Sequence, residues 1–225
     1  MKMVKARSSL ILFFLCFPPI LLVLSGVIHY RNGRAFDAAF PVPLYITMNR
    51  NMPSAAYRDA TVLLRRGNVL DGEAQLSLAE SEYQLGGSAQ GILETLTVSL
   101  VDSPSSPEGW AFDAQLLLNN DPAKAAQALN QAITLAPYDF FTAGTRSRLA
   151  AQLWSRLDSE TKNAALRQVR NLWVEPLLHN EIPPLLKTAG GTQLVNQAYL
   201  REPETLRDIN RWVSARNRQL TLKKP

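Results

Sequence analysis

The chain has 225 residues, of which 46% are apolar, and its formal net charge is +5 at neutral pH. Its single cysteine, Cys16, excludes an intrachain disulfide framework and a cysteine-based metal site. The length is sufficient for one helical domain with a substantial core once the two ends are set aside.

Charge is distributed unevenly along the chain. Residues 71–139 contain ten acidic residues and one basic residue, whereas residues 140–225 contain fourteen basic and seven acidic residues. The basic half lacks the glycine-flanked aromatic motifs, basic arms and zinc-ligand spacings of nucleic-acid-binding proteins. The pattern favours a solvated helical surface, and no nucleic acid partner is expected.

The first predicted element is an apolar segment, residues 8–28, which follows a basic tail at residues 1–7. The segment has 21 residues and no charge, so as a helix it would span roughly 30 Å. Basic residues before it favour a cytoplasmic N-terminus for an uncleaved transmembrane anchor. The alternative is a cleaved signal peptide with Val23-Leu24-Ser25 as the cleavage site, although the apolar run exceeds the usual core of about 7–15 residues. Either interpretation places the remaining chain across a bacterial inner membrane, in the periplasm.

A linker and a first helix follow the apolar segment. Residues 29–53 contain several prolines and no sustained helical period, and they predict a linker with a short extended piece at residues 44–46. Residues 54–68 predict a helix that buries Leu63 and Leu64.

The next helices have a repeated pattern. A helix is expected over residues 73–85, ending at Gly86-Gly87. Beyond it, ILETLTVSLVDSP (92–104) and AAQALNQAITLAP (125–137) align at an offset of 33 residues. The matched pairs are Leu96 with Leu129, Leu100 with Ile133, and Pro104 with Pro137. Ser106 before Pro107, and Asp121 before Pro122, are expected N-caps with proline at the first helical position.

This pattern resembles the tetratricopeptide repeat, a helix–turn–helix unit of 34 residues. Over residues 107–137, Trp110 falls on the motif's tryptophan, and with one residue deleted in the turn the alanine, large apolar, alanine and proline positions are also matched. Asp113 and Ala114 stand where leucine and glycine are expected. The resemblance implies that small residues let the second helix pack closely on the first. The implied repeat core consists of Trp110, Ala125, Leu129, Ala132, Ile133 and Pro137.

The rest of the chain is also predicted to be helical. Residues 54–157 are assigned to the repeats and residues 158–220 to a C-terminal helical extension, followed by a tail at 221–225. Asp158 starts the extension with a capping signal, and Gly190-Gly191 predicts a helix stop. The order of membrane segment, short repeat array, LDSETKNAALRQVRNLW (157–173) and proline-broken helices resembles membrane-anchored repeat proteins found near bacterial surface-polysaccharide genes (exopolysaccharide or O-antigen loci).

No catalytic constellation is found in the sequence. His29 lies at the membrane edge, and His179 would need further ligands or partners from elsewhere to form a metal or acid–base site. We expect His179 to be exposed or hydrogen-bonded at a helix end. Glu80 and Glu82 are two residues apart and diverge on a helix. An enzyme, a cofactor and a metal are therefore not expected.

The sequence thus predicts an all-α protein, with an N-terminal transmembrane helix and a tetratricopeptide-like helical-hairpin solenoid. The expected function is a membrane-tethered adaptor that binds other proteins, and the resemblance implies envelope polysaccharide assembly or export. The apolar stripes leave four arginines outward, which predicts contact with an acidic protein or an anionic glycan. These arginines are Arg146, Arg148, Arg167 and Arg170.

The alternative function is a periplasmic carbohydrate-binding module. It requires Trp110, Trp154 and Trp173 to form an exposed stacking platform for sugars. Core packing is favoured for these tryptophans, because each lies beside apolar residues at helical spacing.

Overall fold

The computed structural model describes residues 52–67 and 71–222, together with a few helical positions between 23 and 34. Nearly all of the predicted anchor at 8–28 and the predicted extended piece at 44–46 lie outside the described residues. Within the described part of the chain every regular element is helical, as expected from the sequence. None of the helices described there is sufficiently long and apolar to cross a bilayer.

Ten α-helices follow one another in the described part of the chain from residue 54 onward. They are α1 (Ser54–Gly67), α2 (Gly72–Gln84), α3 (Ala89–Asp102), α4 (Pro107–Leu117), α5 (Pro122–Leu135), α6 (Ala143–Leu153), α7 (Ser159–Val174), α8 (Ile182–Leu186), α9 (Ala189–Ala198) and α10 (Pro203–Leu222). Short 3₁₀ segments follow α6 at Trp154–Arg156 and α7 at Pro176–Glu181.

Local sequence signals start and end many of these helices. The Ser106 hydroxyl accepts a hydrogen bond from the Gly109 N–H at 3.1 Å, and an Asp121 carboxylate oxygen accepts one from the Lys124 N–H at 3.1 Å. Such side-chain acceptors satisfy backbone donors that the first helical turn leaves free. At the end of α2, Gly86 has a φ of 73°, a conformation that favours glycine.

Consecutive helices pack in three pairs, α2 with α3, α4 with α5, and α6 with α7, and α1 packs on α2. The first pair is antiparallel, because Gly72 at the start of α2 lies against Ser99 near the end of α3. The Ser99 hydroxyl donates a hydrogen bond to the Gly72 carbonyl at 2.7 Å. A Cβ at position 72 would clash with Ser99 and Ser103, so glycine is required for this close approach.

The residues that the resemblance assigned to a repeat core occupy different environments. Ala125, Leu129, Ala132 and Ile133 are all buried on α5 and belong to the interior. Trp110 is partly buried against the main core, and its indole N–H donates to the Pro104 carbonyl at 2.8 Å. Pro137 is exposed in the turn after α5.

The third pair, α6 with α7, spans the predicted boundary between residues 157 and 158. Its buried side chains are continuous with those of α4 and α5 in one hydrophobic cluster, which also receives Ile209 from α10. The predicted boundary therefore lies inside a packed pair of helices.

Two local predictions are wrong. Leu64 is buried, but Leu63 is exposed, because adjacent residues on a helix point about 100° apart. Gly190-Gly191 does not stop a helix and instead lies in the first turn of α9, where Thr188 provides the cap at 3.1 Å to the Gly191 N–H. Both glycines are required by tight packing, since a Cβ at either position would clash with the carbonyl of Ala151 or Leu185.

Candidate functional site

A groove of about 310 Å³ lies across α2, α4 and α6, the first helices of the three pairs. Its lining is mixed in character, with carboxylates, amides, one guanidinium, aromatic rings and aliphatic side chains. The residues that line it are Glu80, Tyr83, Gln84, Glu108, Ala111, Phe112, Gln115, Leu118, Thr142, Thr145, Arg148, Leu149 and Gln152.

Three two-residue units occupy equivalent places in the groove. They are Ala79-Glu80 on α2, Ala114-Gln115 on α4 and Ala151-Gln152 on α6, and in each the alanine is buried and the following polar residue lines the groove. The small alanine lets the helices approach closely, and the next residue projects about 100° further around the helix. The spacings are 35 residues (79 to 114) and 37 residues (114 to 151). Sequence analysis missed this register because it aligned only the second helices of two pairs.

Two carboxylates face the groove without an internal partner. Among the described residues, neither Glu80 on α2 nor Glu108 on α4 makes a side-chain hydrogen bond or an ion pair, and both line the groove. Carboxylates in proteins are usually satisfied by cations or by N–H and O–H donors. These two are therefore open to a group that enters from outside.

The carboxyl group of Glu80 is strongly perturbed. Glu80 is partly buried in the groove, where neighbouring protein atoms displace part of the water around its carboxyl group. Loss of water, and then the negative charge of Glu108, raises the pKa of Glu80 from 4.5 to about 8. The two glutamates are thus electrostatically coupled across the groove.

Arg148 supplies the cationic side chain among the groove-lining residues, and it is already neutralised. Its Nη1 atom lies 2.6 Å from Glu181 Oε2, and its Nη2 atom donates to the Thr145 hydroxyl at 3.0 Å. Glu181 is the last residue of the 3₁₀ segment Pro176–Glu181 and packs over Gly144, where a Cβ would clash with the carboxylate. Arg148 consequently does not balance Glu80 and Glu108.

An aromatic pair forms one wall of the groove. The rings of Tyr83 and Phe112 meet edge to face with their centroids 5.5 Å apart, and Phe112 is buried while Tyr83 remains 40% exposed. Gln84 and Gln115 add side-chain amides to the same surface. Edge-to-face packing fixes the orientation of Tyr83 and leaves part of its surface accessible from the groove.

Arg146 is not on an outward surface, which corrects the prediction made for it. Its side chain is completely buried, and its guanidinium donates to the carbonyls of Ala132 (2.9 Å), Ala136 (2.8 Å) and Asp139 (3.2 Å). The Asp139 carboxylate is 3.6 Å away, and the Gln168 amide, oriented with its oxygen toward the guanidinium, accepts from it at 2.8 and 3.1 Å. Burial lowers the Arg146 pKa, and the charges of Asp139 and Glu108 oppose that effect.

This arrangement has a clear physical cause. The Ala132 and Ala136 carbonyls each accept one hydrogen bond from a backbone N–H, of Ala136 and Asp139 respectively, and each oxygen has a second lone pair. A guanidinium carries five donors in a rigid plane and can reach several such acceptors at once. The sequence contained a signal for it, since Arg146 lies on the same helical stripe as Ala143, Ala150 and Leu153, all of which are buried.

The other predicted arginines lie at or near the surface. Arg148 lines the groove, as described. Arg167 is exposed on α7. Arg170 is partly buried, donating from Nε to the Ala198 carbonyl at 2.7 Å and pairing with Glu202 at 3.0 Å. The four arginines therefore do not form one binding face.

The tryptophans do not line the groove. Trp110, Trp154 and Trp173 are each partly buried against the main core, and no ring contact within the described residues joins any two of them. Trp173 stacks on His179 at 4.5 Å and meets Trp212 of α10 edge to face at 6.1 Å.

The expectation of a hydrogen-bonded His179 is confirmed. Its Nε2 atom lies 2.6 Å from the Trp173 carbonyl, and its ring is held between two indoles. In the part of the chain that the structure describes, no three histidine, cysteine, aspartate or glutamate residues are placed to hold a metal ion. His179 thus takes part in docking α10 on the domain.

Comparison with known proteins identifies no relative. No protein-family model, no curated protein and no solved structure matches this chain.

Proposed function

We propose that this chain is a non-catalytic helical-repeat adaptor of tetratricopeptide type that holds a segment of a protein partner in the groove. The supporting observation is the groove itself, which three successive first helices build from equivalent positions. Repeat arrays present such surfaces because each pair contacts only its neighbours and leaves one face uncovered. The polar side chains of the lining, two of them carboxyl groups without a side-chain hydrogen bond, are suited to backbone and side-chain groups of an extended peptide.

The cellular setting is a second part of the proposal. We propose a single-pass anchor at residues 8–28 with the helical domain in the bacterial periplasm, where it serves polysaccharide assembly or export. The apolar segment and the overall resemblance support this setting. An alkaline phosphatase fusion after Asn217 should be active, and a fluorescent protein that cannot mature in the periplasm should be dark when fused there. The reverse pair of results would move the domain to the cytoplasm.

The groove is tested by placing a photoreactive phenylalanine at position 115 in the full chain. Gln115 lies in the groove, so irradiation of cells should yield a discrete adduct between the chain and one or a few proteins. The matched control carries the same residue at position 98, because Val98 is exposed on α3 and does not line the groove. The proposal would be contradicted if position 115 gave no adduct. It would also be contradicted if positions 115 and 98 gave the same adducts.

A carbohydrate-binding module has less support in the geometry. Its three tryptophans are partly buried and separate, so they do not form the shared stacking surface that the alternative requires. A glycan adduct in place of a protein adduct at position 115 would reinstate it.

A further inference from the structure

The chemical character of the groove narrows the kind of partner segment that it fits. Two carboxyl groups, Glu80 on α2 and Glu108 on α4, face the groove, and within the described residues neither makes a side-chain hydrogen bond or a salt bridge. The charge of Glu108 also acts on the buried Arg146. Arg148, which also lines the groove, is held by Glu181 at 2.6 Å. The accessible part of the Tyr83 ring lies on the same surface.

We propose that the groove selects its partner through a lysine or arginine side chain that enters between Glu80 and Glu108 and lies along Tyr83. This inference rests on the proposed function and adds the chemistry of recognition. A cation between two carboxylates gains charge-assisted hydrogen bonds, and the face of a tyrosine ring attracts the same charge.

Charge complementarity favours this occupant over an anionic one. An acidic side chain or a phosphate would meet the negative charge of Glu108 and would further oppose ionisation of Glu80 in a partly desolvated site, which is strongly unfavourable. The chain does not supply the cation from its own described residues, since Arg146 is enclosed by the carbonyls after α5 and Arg148 by Glu181.

The size of the groove also fits a side chain. A volume of about 310 Å³ lies at the lower end of the range of roughly 300–1,000 Å³ that small-molecule sites occupy. Gln84 and Gln115 line the same groove, and their amides can bind the peptide backbone next to the entering side chain.

The two carboxyl groups also disfavour each other in the empty groove. Burial and the charge of Glu108 raise the pKa of Glu80, and an entering cation would relieve both effects by stabilising the ionised form. The perturbation is therefore of the kind expected at a site that is completed by a cationic ligand.

The test is peptide selection on the full chain in detergent micelles. A library of random twelve-residue peptides displayed on phage is selected against the wild-type protein and against a Glu80→Gln/Glu108→Gln variant. The matched control is Glu73→Gln/Glu94→Gln, which removes two exposed carboxylates on α2 and α3 that do not line the groove. Selected peptides are assigned to the groove by crosslinking from a photoreactive residue at position 115.

We expect groove-bound peptides to share a lysine or arginine at a fixed position. Their affinity should be retained in the control and fall at least about ten-fold in the Glu80→Gln/Glu108→Gln variant, and replacing the shared residue by norleucine or citrulline should have the same effect. Groove-bound peptides without a shared cation, or with unchanged affinity for the variant, would overturn this inference and leave the proposed function standing. If no selected peptide crosslinks at position 115, the proposed function fails and the inference fails with it.

Discussion

Arg146 and Glu80 are two ionisable residues that the fold shields from water, Arg146 completely and Glu80 in part, and their surroundings differ completely. Arg146 donates to three backbone carbonyls and lies 3.6 Å from the Asp139 carboxylate. Glu80 has no such partner among the described residues, and the charge that acts on its carboxyl group is the like charge of Glu108. The Arg146 guanidinium is enclosed by acceptors of the fold, and the Glu80 carboxyl group is left open to the groove.

This difference separates a structural charge from one available for binding. A buried ion is tolerated when its hydrogen bonds are complete, and removing it then leaves its partners unsatisfied. A buried ion without partners destabilises the fold, so replacing it by a neutral residue should be harmless or favourable. The two residues are therefore expected to respond to substitution in opposite directions.

The largest effect is expected from Arg146→Met. The substitution should lower the free energy of unfolding by about 3–5 kcal/mol, because it removes the guanidinium bound to the Ala132, Ala136 and Asp139 carbonyls and leaves the Asp139 carboxylate without its cation. Urea unfolding followed by circular dichroism measures the loss. Arg167→Met, an exposed site on the next helix, should change it by less than about 0.5 kcal/mol. A loss at Arg146 that is no larger than at Arg167 would contradict the structural role.

The apolar interior beside Arg146 is tested by Leu129→Ala. Leu129 is completely buried on α5, so truncation should cost about 2–5 kcal/mol. Leu135, at the exposed end of the same helix, provides the control, and Leu135→Ala should cost much less. A cost below about half a kilocalorie per mole at Leu129 would refute the packing of α5.

Glu80→Gln is expected to raise the free energy of unfolding, whereas the two preceding substitutions lower it. In the folded chain the pKa of Glu80 is about 8 against an ordinary 4.5, so between these values the folded state binds a proton that the unfolded state has released. Stability from this group is therefore present at low pH and lost as pH rises through 8. At pH 9 the variant should be more stable than wild type by about 1–3 kcal/mol, the cost of an unsatisfied buried group.

At pH 5 the Glu80→Gln gain should nearly vanish, because Glu80 is then neutral in the folded chain. Unfolding free energies measured at both pH values check this dependence. Glu94→Gln, on the exposed face of α3, should give no difference between the two pH values. A Glu80→Gln variant that is destabilised at pH 9 would mean that the carboxylate has a stabilising partner after all.

The smallest effect on the free energy of unfolding is expected from Arg148. Its charge is neither completely buried like that of Arg146 nor unpaired like the carboxyl group of Glu80. Its pair with Glu181 is short but partly exposed, and such pairs contribute roughly 0–1 kcal/mol. A double-mutant cycle with Arg148→Gln and Glu181→Gln should give a coupling energy in that range. A coupling energy as large as the effect of Arg146→Met would place Arg148 with the structural charges.

Much of the helical architecture could be predicted from sequence because its signals are local. Ser106 and Asp121 cap the helices that they were expected to cap, and Gly86 ends α2. Pro107 and Pro122 occupy first helical positions because they have no N–H to lose there. Each of these outcomes depends on residues within one turn of the signal.

Where prediction failed, the deciding contacts were distant in sequence. Gly190-Gly191 was interpreted as a stop from its composition, but these glycines start α9 because Ala151 and Leu185 approach their backbones. The apolar stripes were interpreted as leaving Arg146 outward, whereas the carbonyls of Ala132 and Ala136 hold it inside. The apolar stripe of α6 could indicate that Arg146 is buried. It could not show the acceptors on other segments that make burial of a cation favourable.

The sequence alone determined an all-helical chain, the approximate bounds of most helices and the buried stripe of α5, since hydrophobic periodicity and capping act over a few residues. Only the tertiary structure decided which polar residues face one another. It joined Glu80, Glu108 and Arg148 from three helices into one groove, and it placed Glu181 on Arg148 across 33 residues. The pairing of charges sets their desolvation and their pKa values, and pairing is fixed by packing between helices rather than by spacing along the chain.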